Sequence, residues 1–171
     1  MFEALSGKLL AGVVSLSMLL FSTYKGNDPQ LGGISHRTSS SFLYLNTSLV
    51  SAFDNDFPSV FASGSTIPVH LDVTLKSDGR VVATRRFVNS VTYDPTTGVY
   101  DIKRSGVDRN IKVSDADKVA RELSSFECAI PYQLSWGAVD IRMEAWMPAV
   151  RFSQIGKRSE ERRVGKECRS R

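Results

Sequence analysis

Ser65 to Lys76 reads STIPVHLDVTLK, followed by Ser77-Asp78-Gly79-Arg80 and then Val81 to Tyr93 (VVATRRFVNSVTY). In the first segment Val69, Leu71, Val73 and Leu75 alternate with His70, Asp72, Thr74 and Lys76. A period of two puts one set on each face of a half-buried strand. Asp-Gly between two such runs favours a tight hairpin, because both residues tolerate the positive φ that the turn demands. The fold is therefore expected to be built around an antiparallel pair.

Working outward, Asp94-Pro95-Thr96-Thr97-Gly98 turns the chain again before Val99 to Arg104, which completes a three-stranded meander. A further strand is expected at Ala138 to Trp146 (AVDIRMEAW), with Val139, Ile141, Met143 and Ala145 on one face and Asp140, Arg142, Glu144 and Trp146 on the other. Pro148 ends that strand or marks a sheet edge. Two helices are expected to cover the sheet. Ser114-Asp115-Ala116-Asp117 has the form of a capping box, and Ala116, Val119, Ala120, Leu123 and Phe126 recur at helical spacing, giving a helix over Asp115 to Glu127. The second would span Val50 to Ala62, kinked or restarted at Pro58 and stopped by Gly64. The expected class is mainly β (α+β), an antiparallel sheet or sandwich with one or two covering helices, preceded by an N-terminal apolar helix.

That apolar segment is Leu9 to Phe21 (LLAGVVSLSMLLF), thirteen residues without a charge. As a helix it would be about 20 Å long, against roughly 30 Å for a hydrocarbon core. The length favours a signal-peptide core, and the poor cleavage site after Phe21 leaves an uncleaved anchor in the inner membrane as the alternative. Residues 1–25 are thus read as signal peptide or anchor. Residues 26–41 (GNDPQLGGISHRTSSS), rich in Gly, Ser and Asn, are read as a flexible linker. Residues 42–157 then form a single β-rich domain, read as truncated at its end.

The reason for that reading is Arg158 to Arg171, RSEERRVGKECRSR, which resembles one reading frame of a short-read sequencing adapter and is expected to be artefactual. Six of the 22 basic and three of the 18 acidic residues fall in it, leaving 16 against 15 in the remainder. The basic balance that would suggest a nucleic-acid partner falls away with it, and no nucleic-acid contact is expected. Cys168 also lies in this string, so Cys128 is expected to form no intrachain disulfide.

Few residues suggest chemistry. His70 and Asp72 share a strand face and offer two ligands where a metal site needs three or four, and His36 stands alone in the linker. Cys128, placed after a helix C-terminus with no nearby His, reads as a buried structural thiol. Asp54 and Asp56 lack the Gly and distal Glu of a calcium loop. No catalytic, cofactor-binding or metal residue is assigned, and no cofactor is implied. Trp136 and Trp146 remain as a possible contact patch: if the second face of the sheet is covered Trp146 is core, and if not it offers an apolar contact.

The order of apolar leader, SLVSAFDNDF (Ser48 to Phe57), SGSTIPVHLDVTL (Ser63 to Leu75), YDPTTGVYDI (Tyr93 to Ile102) and IRMEAWMPAVRF (Ile141 to Phe152) resembles a family of bacterial envelope proteins known as a domain of unknown function. The resemblance implies an exported, mostly antiparallel domain, periplasmic or membrane-anchored, with a further apolar strand after Phe152 in family members. It carries no activity, cofactor or catalytic residue. An envelope binding or structural module is the function it favours, with an envelope protein as possible partner. An envelope hydrolase resting on His70 or Cys128, or a sensory partner of an envelope signalling protein, are the alternatives.

Overall fold

The computed structural model describes residues 29–54 and 57–148. The apolar segment Leu9 to Phe21, Asp56, and the stretches 149–157 and 158–171 lie outside the described residues. Among the described residues, eight strands form two antiparallel sheets. They are β1 (Gln30–Thr38), β2 (Phe42–Val50), β3 (Ile67–Ser77), β4 (Arg80–Asp94), β5 (Val99–Lys103), β6 (Ile111–Val113), β7 (Ser125–Pro131) and β8 (Asp140–Trp146), with helices α1 (Phe57–Phe61) and α2 (Ala116–Ser124) between them. The smaller sheet has the order β1-β2-β7 and the larger β6-β5-β4-β3-β8.

The hairpin that anchors the larger sheet forms as its sequence requires. Ser77 pairs with Arg80, leaving Asp78 and Gly79 as the two turn residues, at φ 49° and 76°. Two successive positive φ values define the mirror-image turn whose twist matches that of the flanking strands. Val69, Leu71, Val73 and Leu75 are fully buried, and Met143 and Ala145 of β8 lie beside Val73 and Leu71. From the smaller sheet Leu43, Leu45, Phe126, Cys128 and Ile130 enter the same core, with Val119 and Leu123 of α2. The four-residue turn after β4 is closed by Asp94, whose carboxylate accepts from the Thr96 amide and the Thr97 hydroxyl, both at 2.8 Å. These bonds hold its pKa below the usual carboxylate value.

Four expectations are corrected. Residues 26–41 are not all spacer, because Gln30–Thr38 pairs along β2, with a register shift between Gly32 and Ser35. Glycine and serine suppress the alternation signal there, and the strand lies at an edge where most of its side chains are exposed. The helix over Val50 to Ala62 shrinks to Phe57–Phe61. Pro58 sits in its first turn, where a missing N–H costs nothing. The aromatic stripe survives as a cluster, with Phe53, Phe57 and Phe61 ring centroids 5.2 to 5.8 Å apart.

The third correction is α2, which is capped by Asp115, not Ser114, and stops at Ser124. The chain passes without a loop into β7, so Phe126 and Cys128 are strand residues facing the core. A buried amide makes this junction possible. Asn89 of β4 donates from Nδ2 to the carbonyls of Leu123 (3.1 Å) and Ser125 (2.8 Å), and its Oδ1 accepts from the Ser105 amide at 3.1 Å. It supplies partners for carbonyls that a helix end leaves open. Arg104 also clips the junction, through Glu122 and Glu127, each at 3.0 Å. Fourth, the strand expected from Ala138 starts at Asp140, and a 3-10 turn, Leu134–Trp136, precedes it before Gly137 at φ 66°.

Candidate functional site: the outer face of the five-stranded sheet

The side chains of β3, β4 and β8 that point away from the core are mainly polar, aromatic or charged, with Pro68 and with Val88 opposite His70 as apolar members. None of His70, Asp72, Thr74, Thr84, Arg86, Arg142, Glu144 and Trp146 is buried. Register assembles them: His70 stands opposite Trp146, Asp72 opposite both Arg86 and Glu144, and Thr74 opposite both Thr84 and Arg142. Cross-strand neighbours on one face approach closely enough for direct contact.

At the centre, the imidazole of His70 stacks on the Trp146 indole with centroids 4.0 Å apart and planes 9° from parallel. The indole N–H donates to Asp72 Oδ2 at 3.0 Å. Arg86 donates to the same carboxylate from Nε to Oδ1 at 2.6 Å and from a terminal nitrogen to Oδ2 at 3.0 Å. Its guanidinium carbon lies 5.1 Å from the indole centroid, within cation–π range. The bidentate guanidinium holds the Asp72 carboxyl below the usual carboxylate range, with help from the indole N–H. Partial burial, followed by the charge of Arg86, pushes the His70 imidazole below its ordinary pKa, although Asp72 opposes this. His70 Nδ1 is buried without a hydrogen-bond partner.

The arrangement fixes one indole in one orientation on a face that is otherwise mainly polar and charged. Arg142 and Glu144 pair along β8 beside it. Trp146 is therefore a half-buried outer-face residue and not core. Trp136 does not join it. The Trp136 carbonyl accepts from the Ser77 hydroxyl at 2.7 Å, at the far end of β3 from His70, and its ring packs edge-on against Tyr132 at 5.8 Å. Seven residues of strand, at about 3.3 Å each, separate the two tryptophans by roughly 20 Å. The contact patch expected from both residues resolves into one residue, Trp146, with partners His70, Asp72 and Arg86.

The other sequence candidates are placed as follows. His36 lies on β1 opposite Leu45, remote in register from His70. Among the described residues no three His, Cys, Asp or Glu side chains stand together as a metal group, and both oxygens of Asp72 already accept hydrogen bonds. Cys128 is buried and unpaired in β7, its thiol pushed up to about 12 by burial and then by the charge of Glu127. Asp54 is exposed just before α1. Arg86 and Asn89 were not singled out by the sequence. An Arg opposite an Asp becomes visible only once the strand register is known, because a shift between Leu75 and Lys76 sets Arg86, and not Arg85, opposite Asp72.

The fold and this face define a mainly β protein of two antiparallel sheets that carries a preassembled aromatic and charged surface. No family model, no curated protein and no solved structure matches the chain.

Proposed function

We propose that this chain is an exported module of the bacterial envelope that binds or braces an envelope protein through the outer face of β4, β3 and β8. The observation that carries the reading is the Trp146 cluster. A tryptophan on a solvent-facing sheet costs rotamer entropy when it is immobilised by a partner. Here the stack on His70 and the bond to Asp72 have already removed that freedom, which is how an aromatic anchor gains affinity by preorganisation. Alternating charges around it, Arg86, Asp72, Arg142 and Glu144, supply the polar rim that surrounds such anchors. The uncharged run Leu9 to Phe21 and the resemblance to envelope proteins support export, by signal peptide or inner-membrane anchor.

The test uses the full chain in a Gram-negative host, with a photo-crosslinking residue at Thr74 in the outer face or at Asn46 on the opposite sheet. Protease added to spheroplasts should cleave the chain, and crosslinking at Thr74 should yield one dominant protein adduct that is lost in Trp146→Ala. Protection from the protease, or equal adducts from both positions, would overturn the proposal.

A further inference from the structure

The edges of the two sheets are not equally protected. β6 is only three residues long, β1 carries a register shift beside Gly32, and β7 is approached by Asn89, Arg104 and Gly106. β8 differs from all of them. Its seven residues, Asp140-Ile141-Arg142-Met143-Glu144-Ala145-Trp146, pair with β3 in unbroken register and carry no proline, glycine or lysine. Among the described residues β3 is its only strand neighbour. Natural edges of this length are usually blunted by a bulge, a proline or an inward-facing charge. β8 has none of these, and its inward residues Ile141, Met143 and Ala145 are apolar.

We propose that β8 is the contact strand of a two-fold homodimer, in which a second copy adds its own β8 antiparallel and joins the two five-stranded sheets edge to edge. The sequence of the strand is self-complementary about Met143. A two-fold axis perpendicular to the sheet at that residue keeps inner faces inner and outer faces outer. It sets Ile141 beside the partner copy's alanine at 145 and Met143 beside its own equivalent, all on the apolar side. On the outer side Arg142 of each copy meets the glutamate at 144 of the other, twice. Opposite charges directly across an antiparallel pair are favourable and like charges unfavourable, so charge fixes this register against a slip of two residues. A slip of one residue is excluded more strongly, since it would oppose Met143 to a charged side chain. The dimer carries two Trp146 clusters on one continuous face, yet it rests on the strand edge alone and not on the function proposed for that face.

The proposal is tested with the full chain in detergent by light scattering coupled to size exclusion, which gives the protein mass of each species. The native chain should run at twice its 18.9 kDa monomer mass. Arg142→Glu places four acidic groups at the junction and Glu144→Arg four basic ones, so each variant alone should fall to the monomer mass. The double exchange R142E/E144R restores the complementarity and should return the two-fold mass. An equimolar mixture of the two single variants should also give a dimer, because each then meets its opposite charge. That last result separates a contact between copies from the Arg142–Glu144 pair within one strand, which mixing cannot repair. Far-ultraviolet circular dichroism of the single variants should match the native spectrum, as neither side chain is buried. A native chain at monomer mass, as when residues after Pro148 occupy the edge, would overturn the proposal. So would a dimer indifferent to both reversals, or single variants that stay monomeric when mixed.

Discussion

Replacing Asn89 by alanine should be among the most damaging single changes in the described residues. The amide is 1% exposed, and it satisfies two carbonyls and one amide where α2 turns directly into β7. Alanine leaves the buried Leu123 carbonyl with no replacement partner, at about 1–3 kcal/mol for an unsatisfied buried group, while Ser105 and Ser125 are only partly buried and recover some bonding from water. The sum is about 2–4 kcal/mol, a large part of the roughly 5–15 kcal/mol that holds a domain of this kind together. At several degrees per kcal/mol the melting temperature should fall by roughly 10–20 °C. Asn89→Asp is the sharper variant. It preserves shape but removes both donors and turns a carboxylate oxygen towards two carbonyls, so it should cost as much as alanine or more. Urea unfolding followed by tryptophan fluorescence measures both. A loss below about 1 kcal/mol for N89A, or a milder effect for N89D than for N89A, would refute the role assigned to this amide.

Two further outcomes follow from the hairpin and the outer face. Gly79 has φ 76° with open space around its missing Cβ, so Gly79→Val should cost about 1–2 kcal/mol from backbone strain alone, and an unchanged urea midpoint would contradict the turn assignment. Acid should weaken the domain in two stages. The folded His70 pKa is depressed, so the unfolded chain binds that proton more readily and stability falls as pH drops below about 6.5. The folded Asp72 pKa is also depressed, so its contribution is present above about 3.9 and is lost as pH falls through the folded value. Urea midpoints from pH 7.5 to 3 should show the upper stage vanish in His70→Gln and the lower one shrink in Asp72→Asn; identical profiles in all three proteins would disprove the linkage.

The parts of the fold that were legible in the sequence are those where one local signal decides the conformation. Val69 to Leu75 alternate without interruption, Asp78-Gly79 permits few other turns, and Ile141, Met143 and Ala145 form the inward set of β8 as their alternation implies, while Val139, expected with them, precedes the strand. What escaped was decided by tertiary context. Phe126 fits the helical spacing of Val119 and Leu123 as well as it fits a strand, and only Asn89, distant in sequence, lets the helix stop at Ser124. β1 has a glycine-rich composition and is ordered by pairing with β2. The site was half visible: Trp146 was identified, but whether it served core or surface depended on what covers the sheet. Arg86, which completes its surroundings, carries no signal until strand register is known.

The burial of Cys128 bears on chemistry as well as packing. With its pKa pushed up to about 12 by burial, the thiol stays protonated at neutral pH. Disulfide exchange and peroxide oxidation both proceed through the thiolate anion, so the folded sheet makes this sulfur almost inert to the redox state of its surroundings. The same strand packing that places Cys128 beside Leu45 across β2 and β7 thus acts as a kinetic shield. An unpaired cysteine here is compatible with an oxidising compartment for as long as β7 stays in place, and becomes reactive only in a chain that has already begun to unfold.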